Sequence, residues 1–223
     1  MGRVTLAAVR ARVDAASARA GRPSSAVTIV AVSKGRSVEE IIALYEAGHR
    51  DFGENRAGEL AAKVGSLPPD IRWHFVGHLQ SNKARVVRPT GAILHSLDSL
   101  SLAKAWLKGP GSPPPCLLQV NIGRESQKSG AAPEAAVEVA REISEIGIEL
   151  TGVMAILPIG TTSDAARPFF RHLSALRAEI SDTVPSVREL SMGMTDDYDV
   201  AVEEGATLIR VGRAIFDADQ SPG

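Results

Sequence analysis

Val27-Thr28-Ile29-Val30-Ala31-Val32 is an almost unbroken β-branched run, and Ser33-Lys34-Gly35-Arg36-Ser37-Val38-Glu39-Glu40 follows it directly. A short run of this composition reads as a strand buried on both faces, the kind found in a parallel sheet covered by helices. Ser37 and Glu40 stand at the spacing of a capping box, and Gly48 stops the helix that the box would open. The unit is strand, loop, helix.

The unit recurs along the chain. Strand candidates lie at 50–54, 72–77, 92–96, 116–121, 149–156, 187–192 and 207–211, with helical or polar stretches between them. Asp98 is the expected N-cap of one intervening helix, Pro133 opens another, and Gly147 and Gly205 close two more. Upstream, residues 3–20 alternate Ala, Val and Leu with Arg at helical spacing and end at Gly21 and Pro23. The Pro- and Gly-rich stretch 109–115 resembles a linker, but the strand and helix rhythm continues across it, so it reads as a surface loop. About eight strands alternating with helices predict a parallel sheet closed on itself. The expected fold is a single (β/α)8 TIM-like barrel with an extra N-terminal helix, one domain over residues 1–223.

Composition narrows the function. The 223 residues carry 25 basic and 26 acidic side chains, a formal charge of −1, so there is no broad basic field for nucleic acid or an anionic membrane. Cys116 is alone, which excludes an internal disulfide; it sits in an apolar run, reads as core, and suits a reducing compartment. No apolar run approaches the ~20 residues of a membrane span. A soluble, cytoplasmic protein is expected.

In a parallel barrel, ligands bind where the strands end, because loops and helix N-termini converge there. Lys34 follows the first strand, Glu54 and Asn55 the second, Gly77 and His78 the third and Asn121 the fifth; Ser191 to Met194 follow the seventh and Arg210 to Arg213 the eighth. One shared site is predicted. Lys34 either reaches out to solvent or stands inside the mouth, where desolvation or nearby cations would favour the neutral amine that attacks an aldehyde. The turn Ser191-Met192-Gly193-Met194 is either an ordinary βα turn or a phosphate cradle, and Arg210-Val211-Gly212-Arg213 beside it strengthens the second reading. Arg210 alone could equally form an ion pair with Glu54 or Asp197.

These stretches, with Phe52-Gly53-Glu54-Asn55, the run Trp73-His74-Phe75-Val76-Gly77-His78-Leu79-Gln80-Ser81-Asn82-Lys83, and Lys128-Ser129-Gly130, resemble the pyridoxal phosphate homeostasis proteins, single-domain relatives of the alanine racemase barrel. The resemblance runs through most of the chain. It implies pyridoxal 5'-phosphate as cofactor, held as a Schiff base on Lys34. It further implies that Ser191 and the backbone of Met192, Gly193 and Gly212 hold the phosphate, that Arg210 faces the pyridine nitrogen and that Asn55 lies beside the ring. The implied role is vitamin B6 homeostasis and, through it, amino-acid and keto-acid balance. Gly35-Arg36-Ser37 departs from the family's usual tripeptide after the lysine, so Gly35 would loosen the loop and Arg36 could swing toward the phosphate. The stretch 121–130 is expected to form a mobile lip.

The remaining suspects read as structure. His74 and His78 lack the helix that a metal-binding pair at their spacing needs. Asn82 and Lys83 open a helix, and Met154, Met192 and Met194 pack inside the barrel or at its mouth. Racemisation requires a base on each face of the substrate, and neither Tyr45 nor Tyr198 is well placed to oppose Lys34. A non-catalytic carrier is therefore expected, with a weak amino-acid racemase and a Schiff-base aldolase as rivals. Expected partners are pyridoxal phosphate and apo pyridoxal-phosphate enzymes as acceptors, with no nucleic acid, no membrane and no metal; the chain is expected to be a monomer.

Overall fold

A computed structural model describes residues 5–217. Eight parallel strands close into a barrel in sequence order: β1 Thr28–Val32, β2 Asp51–Glu54, β3 Arg72–Phe75, β4 Ile93–Leu97, β5 Cys116–Gln119, β6 Leu150–Met154, β7 Glu189–Ser191 and β8 Leu208–Val211. The helices are α1 Leu6–Arg19, α2 Val38–Glu46, α3 Ala57–Val64, α4 Ala84–Val87, α5 Leu100–Leu107, α6 Ala136–Glu145, α7 Ser163–Thr183, α8 Tyr198–Glu203 and α9 Arg213–Phe216. The predicted strand tails, including Gly77 and Asn121, leave the ladder and become loops at the carboxyl ends.

The β1 register shows which residues face inward. Ile29 and Ala31 belong to the large apolar cluster between sheet and helices, whereas Val30 packs in a separate small cluster with Leu117, Met154 and Leu208. Alternate residues therefore face inside and outside, as the pleat requires. Cys116 is buried, and burial raises its thiol pKa, in keeping with its reading as core.

Helix ends follow local chemistry. Ser37 accepts the Glu40 N–H and the Glu40 carboxylate accepts the Ser37 N–H, the predicted capping box. Gly48, Gly147 and Gly205 all take positive φ beyond helix ends. At α5 the expectation fails by one residue: Ser99 caps the helix by accepting the Leu102 N–H. Asp98 is engaged elsewhere, accepting the Ser99 hydroxyl and lying 3.5 Å from His78.

One ion pair between β2 and α3 is buried. Lys63 Nζ lies 2.6 Å from Glu54 Oε1 and donates to the Ser33 carbonyl at 2.7 Å, while the Ser33 hydroxyl donates to the same carboxylate oxygen. Removing the lysine would strand a charge in the interior. Lys63→Ala should lower unfolding free energy by about 3–5 kcal/mol in urea titration, whereas the double change Lys63→Met with Glu54→Leu should recover most of it. A loss below about 1 kcal/mol for the single variant would mean that the pair is solvated.

Candidate functional site

The parallel pairing of Thr28 to Ala31 with Leu208 to Val211 closes the barrel and brings the ends of β7, β8, β1 and β2 side by side. Lys34, Asn55, Ser191, Met192, Gly193, Arg210 and Gly212 thus lie at or just beyond the ends of four neighbouring strands, although the chain separates them widely. Lys34 is exposed, on the loop that leaves β1. Gly35 turns that loop at φ +68°, and its N–H donates to Glu59 Oε2 at 3.1 Å. The loop is tied by Glu59 rather than loosened. Arg36 also departs from expectation: it pairs with Glu40 and Asp217 and lies over the Phe216 ring, held by those partners away from any anion at the mouth.

Arg210 is the buried cation of the site. Its Nη1–H donates to Ser191 Oγ at 2.6 Å and its Nη2–H to the Ala155 carbonyl at 2.8 Å. Neither Glu54 nor Asp197 forms an ion pair with it; Glu54 is taken by Lys63. Burial, partly offset by the nearby Asp197 charge, pushes the guanidinium down to about 10, so it stays protonated at neutral pH. Its remaining N–H donors have no protein acceptor among the described residues. Ser191 is fully buried, and its hydroxyl is shared between Arg210 and His95 Nδ1, 2.9 Å away.

Two glycines shape the turn region. Gly193 has φ +89°, and an added Cβ would lie 2.5 Å from Ala201 Cβ. At Gly212 it would lie 3.1 Å from the Val32 carbonyl oxygen. The N–H groups of Gly193 and Gly212 have no acceptor among the described residues, which leaves two backbone donors on the walls of the mouth. Gly77 allows the β3 loop to cross Asn55, whose carbonyl oxygen would be 2.2 Å from a Cβ there; Asn55 Oδ1 is buried without a partner.

Other predicted members do not join. Asn121 closes the 121–130 loop by bonding Glu125 twice, and Lys128 reaches the Leu157 carbonyl, so the expected lip is a loop tied by hydrogen bonds. His78 binds Ser129 and Asp98 at the rim. Met192 is buried, as predicted for packing, but Met194 is an exposed apolar residue.

A polar line inside the barrel was missed. His95 Nε2 lies 2.9 Å from His74 Nδ1, and His74 Nε2 lies 3.3 Å from Asp51 Oδ1; Arg72 grips the same carboxylate at 2.8 and 2.5 Å. His74 therefore points away from His78. Burial alone would raise the Asp51 carboxyl, but the hydrogen bonds from His74 and Arg72 outweigh it and hold it at about 2, down from 3.8.

The sequence matches the family described as "Alanine racemase, N-terminal domain" over residues 4–220. A pyridoxal phosphate homeostasis protein of Deinococcus radiodurans is 40% identical over 218 residues, covering 96% of this chain and 100% of the relative. One from Aquifex aeolicus is 35% identical, covering 95% of each. Among solved structures, PipY of Synechococcus elongatus with PLP bound superposes with TM-score 0.76 at 36% identity, covering 93% of this chain and 99% of that one. Alanine racemase of Corynebacterium glutamicum superposes at TM-score 0.67 and 16% identity, covering 94% of this chain and 60% of that one, a likeness of fold.

Asp51, at the end of the barrel opposite the mouth, gives the fold a pH signature. A carboxyl held at about 2 in the fold, against 3.8 otherwise, contributes stability that is present above pH 4 and is lost as pH falls toward 2. The amount is about 2.5 kcal/mol. Urea midpoints taken from pH 5 to pH 2 should fall less steeply for Asp51→Asn than for the unaltered chain; identical slopes would show that the carboxyl is not held down.

Proposed function

We infer the function from one premise: the chain belongs to the alanine racemase N-terminal domain family and, within it, to the pyridoxal phosphate homeostasis proteins. On that premise it binds pyridoxal 5'-phosphate at the barrel mouth and acts in vitamin B6 homeostasis, handling the cofactor rather than turning over a substrate. Lys34 carries it through the aldehyde carbon. When bound, the cofactor supplies a conjugated ring able to draw electrons from an attached amine.

The observation that carries this reading is Arg210: a buried cation, one strand from the Lys34 loop, with N–H donors beyond those given to Ser191 and the Ala155 carbonyl. A guanidinium facing a pyridine nitrogen disfavours protonation of that nitrogen, because two cations would then meet in a low-dielectric site. The ring is then a poor electron sink, as suits carriage. The open N–H groups of Gly193 and Gly212 fit a phosphate; the two other expected contributors are engaged elsewhere, the Met192 N–H by the Leu208 carbonyl and the buried Ser191 hydroxyl by Arg210 and His95. The unpartnered Asn55 Oδ1 supports a place for Asn55 beside the ring.

The tyrosines argue against the racemase reading. Tyr45 donates to Asp70, and Tyr198 is fully buried beneath Arg12 with its hydroxyl unpartnered. Neither can stand opposite Lys34 without repacking. The acceptor apo enzymes and the monomeric state remain part of the proposal. Among the described residues no helix is long and apolar enough to cross a membrane.

Borohydride treatment of the chain incubated with pyridoxal phosphate, followed by peptide mass mapping, should place the adduct on the peptide containing Lys34. Lys34→Ala should carry no adduct while its unfolding free energy stays within about 0.5 kcal/mol, as for an exposed residue. An adduct at another lysine would overturn the assignment. Deuterium exchange at the α-carbon of added amino acids should proceed no faster with the loaded protein than with free cofactor; catalytic exchange would restore the racemase reading.

A further inference from the structure

Inside the barrel, Arg210, Ser191, His95, His74 and Asp51 form one unbroken line from the mouth to the opposite end. They come from β8, β7, β4, β3 and β2, and each lies on the inward side of its strand. The far end opens on a cavity of about 290 Å³, lined by Asp51, Arg72, His74 and Glu189 among others.

The two end groups fix the direction of every bond between them. A guanidinium only donates, and an ionised carboxylate only accepts. Ser191 Oγ accepts from Arg210, and the acceptor available to its own proton is His95 Nδ1, which must therefore be bare. A neutral imidazole with a bare Nδ1 carries its proton on Nε2 and donates it to His74 Nδ1. His74 then carries its own proton on Nε2 and donates to Asp51. Starting from Asp51 gives the same assignment in reverse, so no other neutral arrangement satisfies all four contacts.

We propose that this line is a one-way hydrogen-bond chain that holds the Arg210 guanidinium at the mouth, with His74 and His95 as positioning residues in the Nε2–H tautomer. Its use toward the cofactor rests on the functional reading above; the chain itself does not. The charged groups that face it are Asp51 and Arg72 at the far end, Glu189 beside that cavity, and Asp197 near Arg210. His95 is fully buried, and burial, with His74 and the Arg210 cation, keeps it well below the usual imidazole range. The aligned bonds polarise one another, so that the Asp51 charge at one end strengthens the grip on the cation at the other.

Two measurements test the chain. Nitrogen-edited ring spectra of the unaltered protein without cofactor, assigned with His74→Gln and His95→Gln, should show both histidines neutral with the proton on Nε2. A proton on Nδ1 of either ring, or a cationic His95, would overturn the proposal. His74→Leu cuts the chain two bonds away from Arg210 without touching it. It should weaken pyridoxal phosphate binding about tenfold and move the absorption maximum of the loaded protein, while the adduct stays on Lys34. His74→Gln, which offers both an acceptor and a donor, should restore both. Unchanged affinity and spectrum in His74→Leu would overturn the proposal. If the unaltered chain traps no cofactor, the functional reading fails and the ring nitrogens alone decide the chain.

Discussion

The pairing of β1 with β8 is the contact on which the site depends. Along Thr28 to Ala31 it joins the first strand to the last, and without it the sheet would be open, with Lys34 and Arg210 at opposite edges. Closure costs the entropy of bringing distant segments together, and the apolar layer between sheet and helices supplies the opposing free energy. It also explains why the site draws on four strands that are neighbours only after closure. A ligand set spread over β7, β8, β1 and β2 cannot form in any folding intermediate that leaves this seam unpaired.

Closure brings unlike groups into one interior. Val30, Leu117, Met154 and Leu208 form an apolar cluster, and the chain from Asp51 to Arg210 runs beside it, with Leu117 and Leu208 lining the same cavity as Asp51 and His74. Burying five polar side chains is costly unless each finds a partner, and here each does. An apolar filling would do as well for stability, by the general behaviour of buried ionic groups. What it would not do is fix a cation beneath the mouth in one orientation. The same reasoning applies to Glu54 and Lys63, which fasten the β2 end to the Ser33 carbonyl, one residue before Lys34.

Much of this was legible from the chain alone. β-branched runs, capping chemistry and glycine stops carry local information, so strand count, closure and the placing of Lys34 and Arg210 follow from them. Asp98 and Ser99 show the limit: both are good caps, and the choice turned on a tertiary contact with His78 that no local pattern contains. The histidine line is a stronger case. His74 and His95 sit in separate strands, and alternation says only that each shares a face with its second neighbours. Their meeting depends on the register across β3 and β4, which sequence spacing does not give. Arg36 was misread for the same reason, since Asp217, its partner, arrives from the far end of the chain.

The tyrosines and Arg210 lead to a common conclusion about chemistry. Racemisation next to a pyridoxal ring needs a base on each face, and a protonated ring nitrogen draws off more of the developing charge. Tyr45 is spent on Asp70 and Tyr198 on packing under α1, so the face opposite Lys34 lacks a tyrosine base. Arg210, held by Ser191 and the Ala155 carbonyl, would keep that nitrogen unprotonated in the proposed arrangement. In the proposed arrangement both features would lower reactivity while leaving binding intact, a combination that suits a scaffold retaining a reactive aldehyde. The hydrogen-bond chain behind Arg210 would then have a purpose that packing alone does not supply: it ties the cation to the carboxylate at the far end of the barrel and so, in the proposed arrangement, holds it against the ring.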